Sequence, residues 1–187
     1  VIGVAFDGTG YGTDGTIWGG EILLADYEDF TRFGNITPFL QIGGDVSAKE
    51  GWRIAVSLIW QNMGNLEKTL DTVRKLGLCT DQEAKVLVTM AQRKINAVTS
   101  TSAGRLFDGV SAILGIRRAS TFEGEASTAL EFAAEAWRKQ REMQKKNPEE
   151  NLKIRMSEKE DIPESTGISE ASEDERKFIL NTGEIVA

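Results

Sequence analysis

Histidine is missing from all 187 residues, so no imidazole of this chain can ligate a metal or serve as a base. A single cysteine, Cys79, excludes an internal disulfide framework and fits a reducing compartment. No apolar run is long enough to span a membrane, and no charged-then-apolar leader pattern is visible. Basic residues are outnumbered, 22 against 29 acidic, and form no block in the part that reads as folded. That argues against a nucleic-acid platform, where clustered Lys and Arg displace counterions, but not against a small anion held by backbone N–H groups. These absences predict a soluble, cytoplasmic chain with no nucleic-acid and no membrane partner.

What is present is 40% apolar content, enough for one real core. The chain starts on Val1, inside a strand-like run, and stops on the apolar Gly183–Ala187, so a piece of a longer polypeptide is expected. The pattern predicts one partial α/β domain over residues 1–187. Strands and a glycine-rich loop fill 1–45, helices 46–146, a polar loop or insertion 147–177, and a strand–turn–strand 178–187. Val1–Phe6 is apolar at successive positions, which predicts a strand buried on both faces. Thr16–Tyr27 reads as a second strand with a bulge or close approach at Gly19-Gly20. Phe30–Gln41 reads as a third, broken by Gly34 and Pro38, and the short loops favour antiparallel pairing.

Trp52, Ala55, Val56, Ile59 and Trp60 mark a first helix, and Leu66–Leu76 a second ended by Gly77. A third starts near Asp81, capped by Thr80 or Asp81 with Glu83 in its first turn, and its stripe runs through Ala91, Ile95 and Val98. A fourth starts near Ser102 or Ala103, with Leu106, Phe107, Val110, Ile113 and Leu114 inward. A fifth starts near Gly124 and turns polar after Trp137. Asn151–Met156 suits a short edge strand.

The stretch Asp7–Glu21, DGTGYGTDGTIWGGE, has two readings. Gly8, Gly10, Gly12 and Gly15 allow positive φ, so successive N–H groups can converge on an anion, with Asp7 placed to bind a cation beside it. The stretch lacks the Walker spacing and runs into a strand, which excludes a P-loop and a dinucleotide fingerprint. A glycine-rich hairpin in which Asp7 and Asp14 only organise turns accounts for the same residues.

FDGTGYGTDGTIWGGE, then GGD and GWRIAVSL, then TSTSAGRLFDGVSAILGI and FEGEAS, form an ordered series. It closely resembles the carbamoyltransferase domain of the HypF family of hydrogenase-maturation proteins. That domain is related to the enzymes that make threonylcarbamoyladenosine in tRNA. The resemblance covers most of residues 1–135 and implies an actin/sugar-kinase/Hsp70-like, ribonuclease H-like fold. It also implies use of ATP and carbamoyl phosphate through a carbamoyl-adenylate, a divalent metal (iron or zinc), and transfer to the C-terminal cysteine of a HypE-type acceptor protein. The His-x-x-x-His metal motif and the Ser-Gly-Gly nucleotide motif of such proteins are not in this chain, so alone it is expected to be inactive.

By resemblance, Asp7 looks like the metal ligand, and Gly8, Thr9, Gly10, Tyr11 and Gly12 look like the phosphate-facing loop. Gly104 and Asp108 look like nucleoside contacts. The alternative for Asp108 is a solvated helix aspartate beside a core Phe107. Glu123 and Glu125 line the same cleft or serve as acidic residues of the following helix's first turn. Two prolines common in the family are replaced, giving Ile42-Gly-Gly-Asp45 and Glu50-Gly-Trp-Arg53. Asp45 and Arg53 are therefore expected to be structural, as a helix cap and a surface or interdomain contact. Cys79 is expected to be a buried or bystander thiol, and Trp18, Trp52, Trp60 and Trp137 to face a core or interdomain surface. Two other functions stay open: a nucleotide-binding O-carbamoyltransferase or sugar-kinase-like relative, and a non-catalytic docking or structural piece.

Overall fold

The structure is a computed structural model that describes residues 1–146. The expectations for 147–177 and 178–187 lie outside the described residues. Of those described, Val1–Leu130 belong to one compact unit and the residues from Glu131 onward to another.

The element order is β1 (Ile2–Tyr11), β2 (Ile17–Ala25), β3 (Phe30–Asn35), β4 (Phe39–Ile42), α1 (Gly51–Met63), α2 (Leu66–Lys75), α3 (Asp81–Arg93), β5 (Ala97–Ser100), α4 (Ala103–Ile113) and α5 (Glu125–Lys146). The five strands make one mixed sheet in the order β1-β2-β5-β4, with β3 paired to the far part of β2. β1 and β3 run antiparallel to β2, β4 antiparallel to β5, and β2 meets β5 in parallel at Ile17 and Ser100. The third predicted strand is two strands, because Pro38 cannot continue a ladder.

The core lies between β4 and the first three helices. Trp52, Ala55, Val56 and Ile59 of α1 pack with Leu70 and Val73 of α2, and with Ala84, Leu87 and Ala91 of α3. Each large side chain removed from water there contributes about 1.5–3 kcal/mol, which is what holds short helices of this length. Caps set their ends. Asn65 accepts from Lys68 N at 3.0 Å, and Thr80 exchanges bonds with Glu83 in a complete capping box. Gly64, at φ 58, takes the left-handed position that closes α1.

Several expectations are corrected. β1 is an edge strand among the described residues, and Ile2, Val4 and Phe6 are exposed rather than buried. The glycine stretch does not form a loop until Gly12, since Gly8, Gly10 and Tyr11 still belong to β1. Of its glycines only Gly15 has positive φ. The α3 stripe ends at Arg93; Lys94 and Asn96 turn left-handed and the chain re-enters the sheet as β5, which carries Val98. In α4, Phe107 and Leu114 are exposed, and the inward face is built from Ala103, Asp108, Gly109, Ser111 and Ala112. Asp45 caps no helix: it lies in a short 3-10 turn, Gly44–Ala48, without a side-chain cap bond. Arg53 bonds Glu50 and lies 4.7 Å over the Trp52 ring. Trp52 is core, Trp18 and Trp60 are half-buried, and Trp137 is exposed with Arg141 stacked on it at 4.8 Å.

Candidate functional site

Small residues let three segments meet at one point. Gly19 of β2 has no side chain, and a Cβ there would lie 2.5 Å from Asp7 O and 2.9 Å from Ser102 Cα. Likewise a Cβ on Gly104 would lie 2.9 Å from Gly8 Cα, so the first turn of α4 seats directly on β1. The β1–β2 register changes between Phe6↔Gly20 and Gly10↔Trp18. Asp7, Gly8 and Thr9 therefore bulge out opposite Gly19, and bulges re-aim side chains beside functional sites.

The bulge borders a cavity of about 370 Å³. Asp7, Gly8 and Thr9 form one wall and Arg105 and Asp108 of α4 another; Lys49 and the Ser120–Gly124 segment complete it. Ser120 N is tied to Lys49 O at 2.7 Å, which holds those two sides together. Within this cavity Asp108 is 6% exposed. Its carboxyl is pushed up to about 6, chiefly by burial, with Arg105 opposing that effect. Arg105 Nε lies 3.1 Å from Asp108 Oδ2, yet both atoms are buried without an aligned hydrogen bond. The Arg105 guanidinium is anchored by Nη1, which donates to Ala48 O at 2.8 Å.

Of the expected site residues, the structure brings Asp7, Gly8, Thr9, Asp108 and Glu123 to this cavity. Gly104 stands behind Gly8 as a backbone seat. Gly10 and Gly12 face Trp18, where a Cβ would lie 2.5 Å from its O and 2.4 Å from its Nε1, and Tyr11 is fully exposed. Glu125 turns away: it accepts from Thr121 N and Oγ1 and pairs with Arg117 at 3.2 Å. The Thr121 N–H, first, holds its carboxyl below the ordinary value, the pattern of a first-turn acid. The solvated alternative for Asp108 is overturned by its burial, since Phe107 is the exposed one of the pair.

Sequence reading missed Arg105, Lys49 and the buried Glu21. Arg105 carried a signal in its i, i+3 spacing to Asp108. Glu21 is 3% exposed and accepts from Gly19 N at 3.1 Å, Gly20 N at 3.2 Å, Arg32 Nε at 2.6 Å and Thr101 Oγ1. Burial alone would raise its carboxyl, but the bonds from Arg32, Thr101 and the two glycine N–H groups hold it below the ordinary value. This cluster fixes the β2 segment that faces the bulge.

No metal centre is assembled from the described residues, for no three His, Cys, Asp or Glu side chains converge. Asp7 offers one carboxylate at the cavity, with Oδ1 already accepting from Gly8 N at 2.6 Å. One carboxylate is too small a donor set to hold iron or zinc, which take three or four protein ligands.

Residues 3–179 match the family described as carbamoyltransferase, Kae1-like domain, second subdomain, of HypF proteins. The chain belongs to this family. The matched residues include every residue that lines the cavity. The probable carbamoyltransferase HypF of Methanocaldococcus jannaschii is 37% identical over 131 residues, 70% of this chain and 17% of that protein. A carbamoyltransferase HypF homolog of Cupriavidus necator is 38% identical over 135 residues, 72% of this chain and 33% of that protein. A crystal structure of full-length HypF in its phosphate- and nucleotide-bound form superposes with a TM-score of 0.62 at 37% identity, covering 70% of this chain and 17% of that one. The chain thus spans between a sixth and a third of the length of these relatives. Its described part is a Kae1-like, mixed α/β subdomain, and none of its helices is long and apolar enough to cross a membrane.

Proposed function

We propose that the cavity between the β1 bulge and α4 binds the nucleotide of a carbamoyl-transfer reaction. The observation that carries this reading is the convergence on one cavity of the Asp7–Thr9 bulge and the charged pair Arg105 and Asp108. A ligand that offers hydroxyl donors to a carboxylate and acceptors to a guanidinium suits that wall. A ribose supplies both. Asp7, Gly8 and Thr9 face the same space and suit the phosphate end, with Lys49 and Arg105 supplying positive charge. The full-length HypF solved with phosphate and nucleotide supports the assignment.

In this reading the whole protein uses carbamoyl phosphate and ATP to form a carbamoyl-adenylate. A cysteine thiolate at the C-terminus of a HypE-type acceptor then attacks the carbamoyl carbon, and AMP leaves. The thiocarboxamide is the precursor of the cyanide ligand of [NiFe] hydrogenase. The contribution of this chain is to bind and orient the nucleotide beside preorganised donors. Asp7 contributes at most one ligand to a cation accompanying the phosphates. The test is calorimetric titration of the intact protein with ATP and AMP, comparing wild type with Asp108→Ala and Asp7→Ala. Loss of affinity of about tenfold or more with Asp108→Ala is expected; affinity unchanged by that substitution overturns the site. Mass-spectrometric detection of a carbamoylated acceptor cysteine tests the reaction separately.

A further inference from the structure

The Asp7–Thr9 bulge has lost its regular register with β2, so something other than the ladder must fix its path. One hydroxyl sits where it can. Ser102 is fully buried at the N-cap of α4, and its Oγ accepts from Arg105 N at 3.0 Å. The same Oγ lies 2.8 Å from Gly8 O and 3.1 Å from Asp7 O, the carbonyls of two successive bulge residues. A serine hydroxyl has one proton to give and lone pairs to accept with, so this side chain donates to the bulge while accepting from the helix. Ser102 does not line the cavity. It touches both walls from behind, through Asp7–Gly8 on one side and the Arg105 peptide on the other.

We infer that Ser102 is a positioning residue, which sets the distance between the phosphate-facing bulge and the Arg105–Asp108 wall of the cavity. The inference rests on the nucleotide reading of that cavity for its functional consequence, but its structural part stands on the bonds alone. Its neighbours agree with it. Gly104 and Gly19 close the same junction by direct backbone approach, so the hydroxyl is the polar link in an otherwise steric contact. The two residues before it, Ser100 and Thr101, do not reach the bulge: Thr101 is bonded to Glu21, and Ser100 Oγ accepts from Ser102 N.

The experiment separates positioning from plain capping, using the intact protein. Glycine is nearly as good an N-cap as serine, so Ser102→Gly retains most of the helix stability while removing the donor to the bulge. Thr80→Ala removes a cap from α3, away from the cavity, and serves as the stability control. Ser102→Thr restores the hydroxyl, and Ser102→Ala provides a second donorless variant should glycine loosen the backbone. Amide exchange at Gly8 and Thr9 is read without ligand, and ATP affinity by calorimetry. In Ser102→Gly and Ser102→Ala, exchange at Gly8 and Thr9 is expected to rise about tenfold and ATP affinity to fall about tenfold, with neither change in Thr80→Ala and recovery in Ser102→Thr. Unchanged exchange in both donorless variants overturns the inference, as does raised exchange with unchanged ATP affinity. If wild-type protein does not bind ATP, the nucleotide reading fails, and the exchange result alone then decides whether Ser102 holds the bulge.

Discussion

Arg105 Nε and Asp108 Oδ2 stand 3.1 Å apart, one turn of α4 from each other, and are buried without being aligned as a hydrogen bond. An ion pair of opposite charges at that distance in a partly dry cavity is not at rest. It pays desolvation without the full return from a directed bond. A buried carboxylate so placed is a group whose protonation follows its surroundings, and this gives the first prediction.

Burial holds Asp108 at about 6 against an ordinary 3.8. Between those values the folded protein keeps a proton that the unfolded chain has released. Stability therefore falls as pH rises from about 4 to about 6 and levels off above, because the unfolded state binds fewer protons there. Asp108→Asn removes this titration. The stability difference between variant and wild type is expected to shift by about 1–2 kcal/mol in favour of asparagine between about pH 4.5 and 7.5. Urea unfolding at several pH values measures it, and a pH-independent difference contradicts the prediction.

Glu21 is predicted to behave with the opposite sign. Its carboxyl is held below the ordinary 4.5, burial being outweighed by Arg32, Thr101 and two N–H donors. Its contribution is complete above about pH 4.5 and is lost as pH falls through the lowered value. Glu21→Ala leaves Arg32 and the Gly19 and Gly20 N–H groups without their acceptor, at an expected cost of about 3 kcal/mol at neutral pH. The gap between wild type and variant should narrow in acid. A constant gap from neutral to acid pH would show that the charge of Glu21 contributes nothing.

The difference between these two carboxylates was beyond the reach of the sequence. Helix positions were legible because caps and stripes are local: Thr80 with Glu83 announced α3, and Trp52 through Ile59 announced the buried face of α1. β5 was not legible, since four residues are too few to show a period of two, and Val98 fell by chance on the stripe of α3. The apolar run in β1 read as a strand buried on both sides, but burial depends on what packs against a strand, and among the described residues Ile2, Val4 and Phe6 stay exposed. At the site, the glycines were visible and their reason was not. Gly10, Gly12, Gly19 and Gly104 are small because Trp18, Asp7, Ser102 and Gly8 crowd them, and only tertiary contact reveals that. Glu21 and Arg32 are eleven residues apart on paired strands, so their bond depends on register, which composition does not give.

Cys79 is expected to be chemically quiet. Burial, and then the nearby Glu83 charge, push its thiol up to about 11. Near pH 7.5 only about one molecule in several thousand carries the thiolate, against roughly one in ten for a free cysteine. Alkylation of the native protein by iodoacetamide should be slower than that of the unfolded protein by two orders of magnitude or more, and Cys79→Ser should leave ATP affinity unchanged. Rapid native alkylation would mean that the thiol is neither buried nor suppressed.

The contact between Gly104 and Gly8 gives the sharpest separation of stability from function. A methyl group on Gly104 would sit 2.9 Å from Gly8 Cα, which is backbone and cannot swing aside as a side chain can. Gly104→Ala must therefore push α4 off the bulge or distort Asp7–Gly8, at about 1–3 kcal/mol, and it moves the Arg105–Asp108 wall with the helix. Gly64→Ala is the matching control. It sits at φ 58 with no atom nearby, so its cost of about 1 kcal/mol comes from left-handed backbone strain at the end of α1. Thermal unfolding and ATP titration of the intact protein distinguish the two. Gly64→Ala should lower the melting temperature with affinity intact, whereas Gly104→Ala should lose at least about tenfold in affinity beyond its loss of stability. Equal affinities in the two variants would mean that the seat of α4 on β1 does not shape the nucleotide cavity.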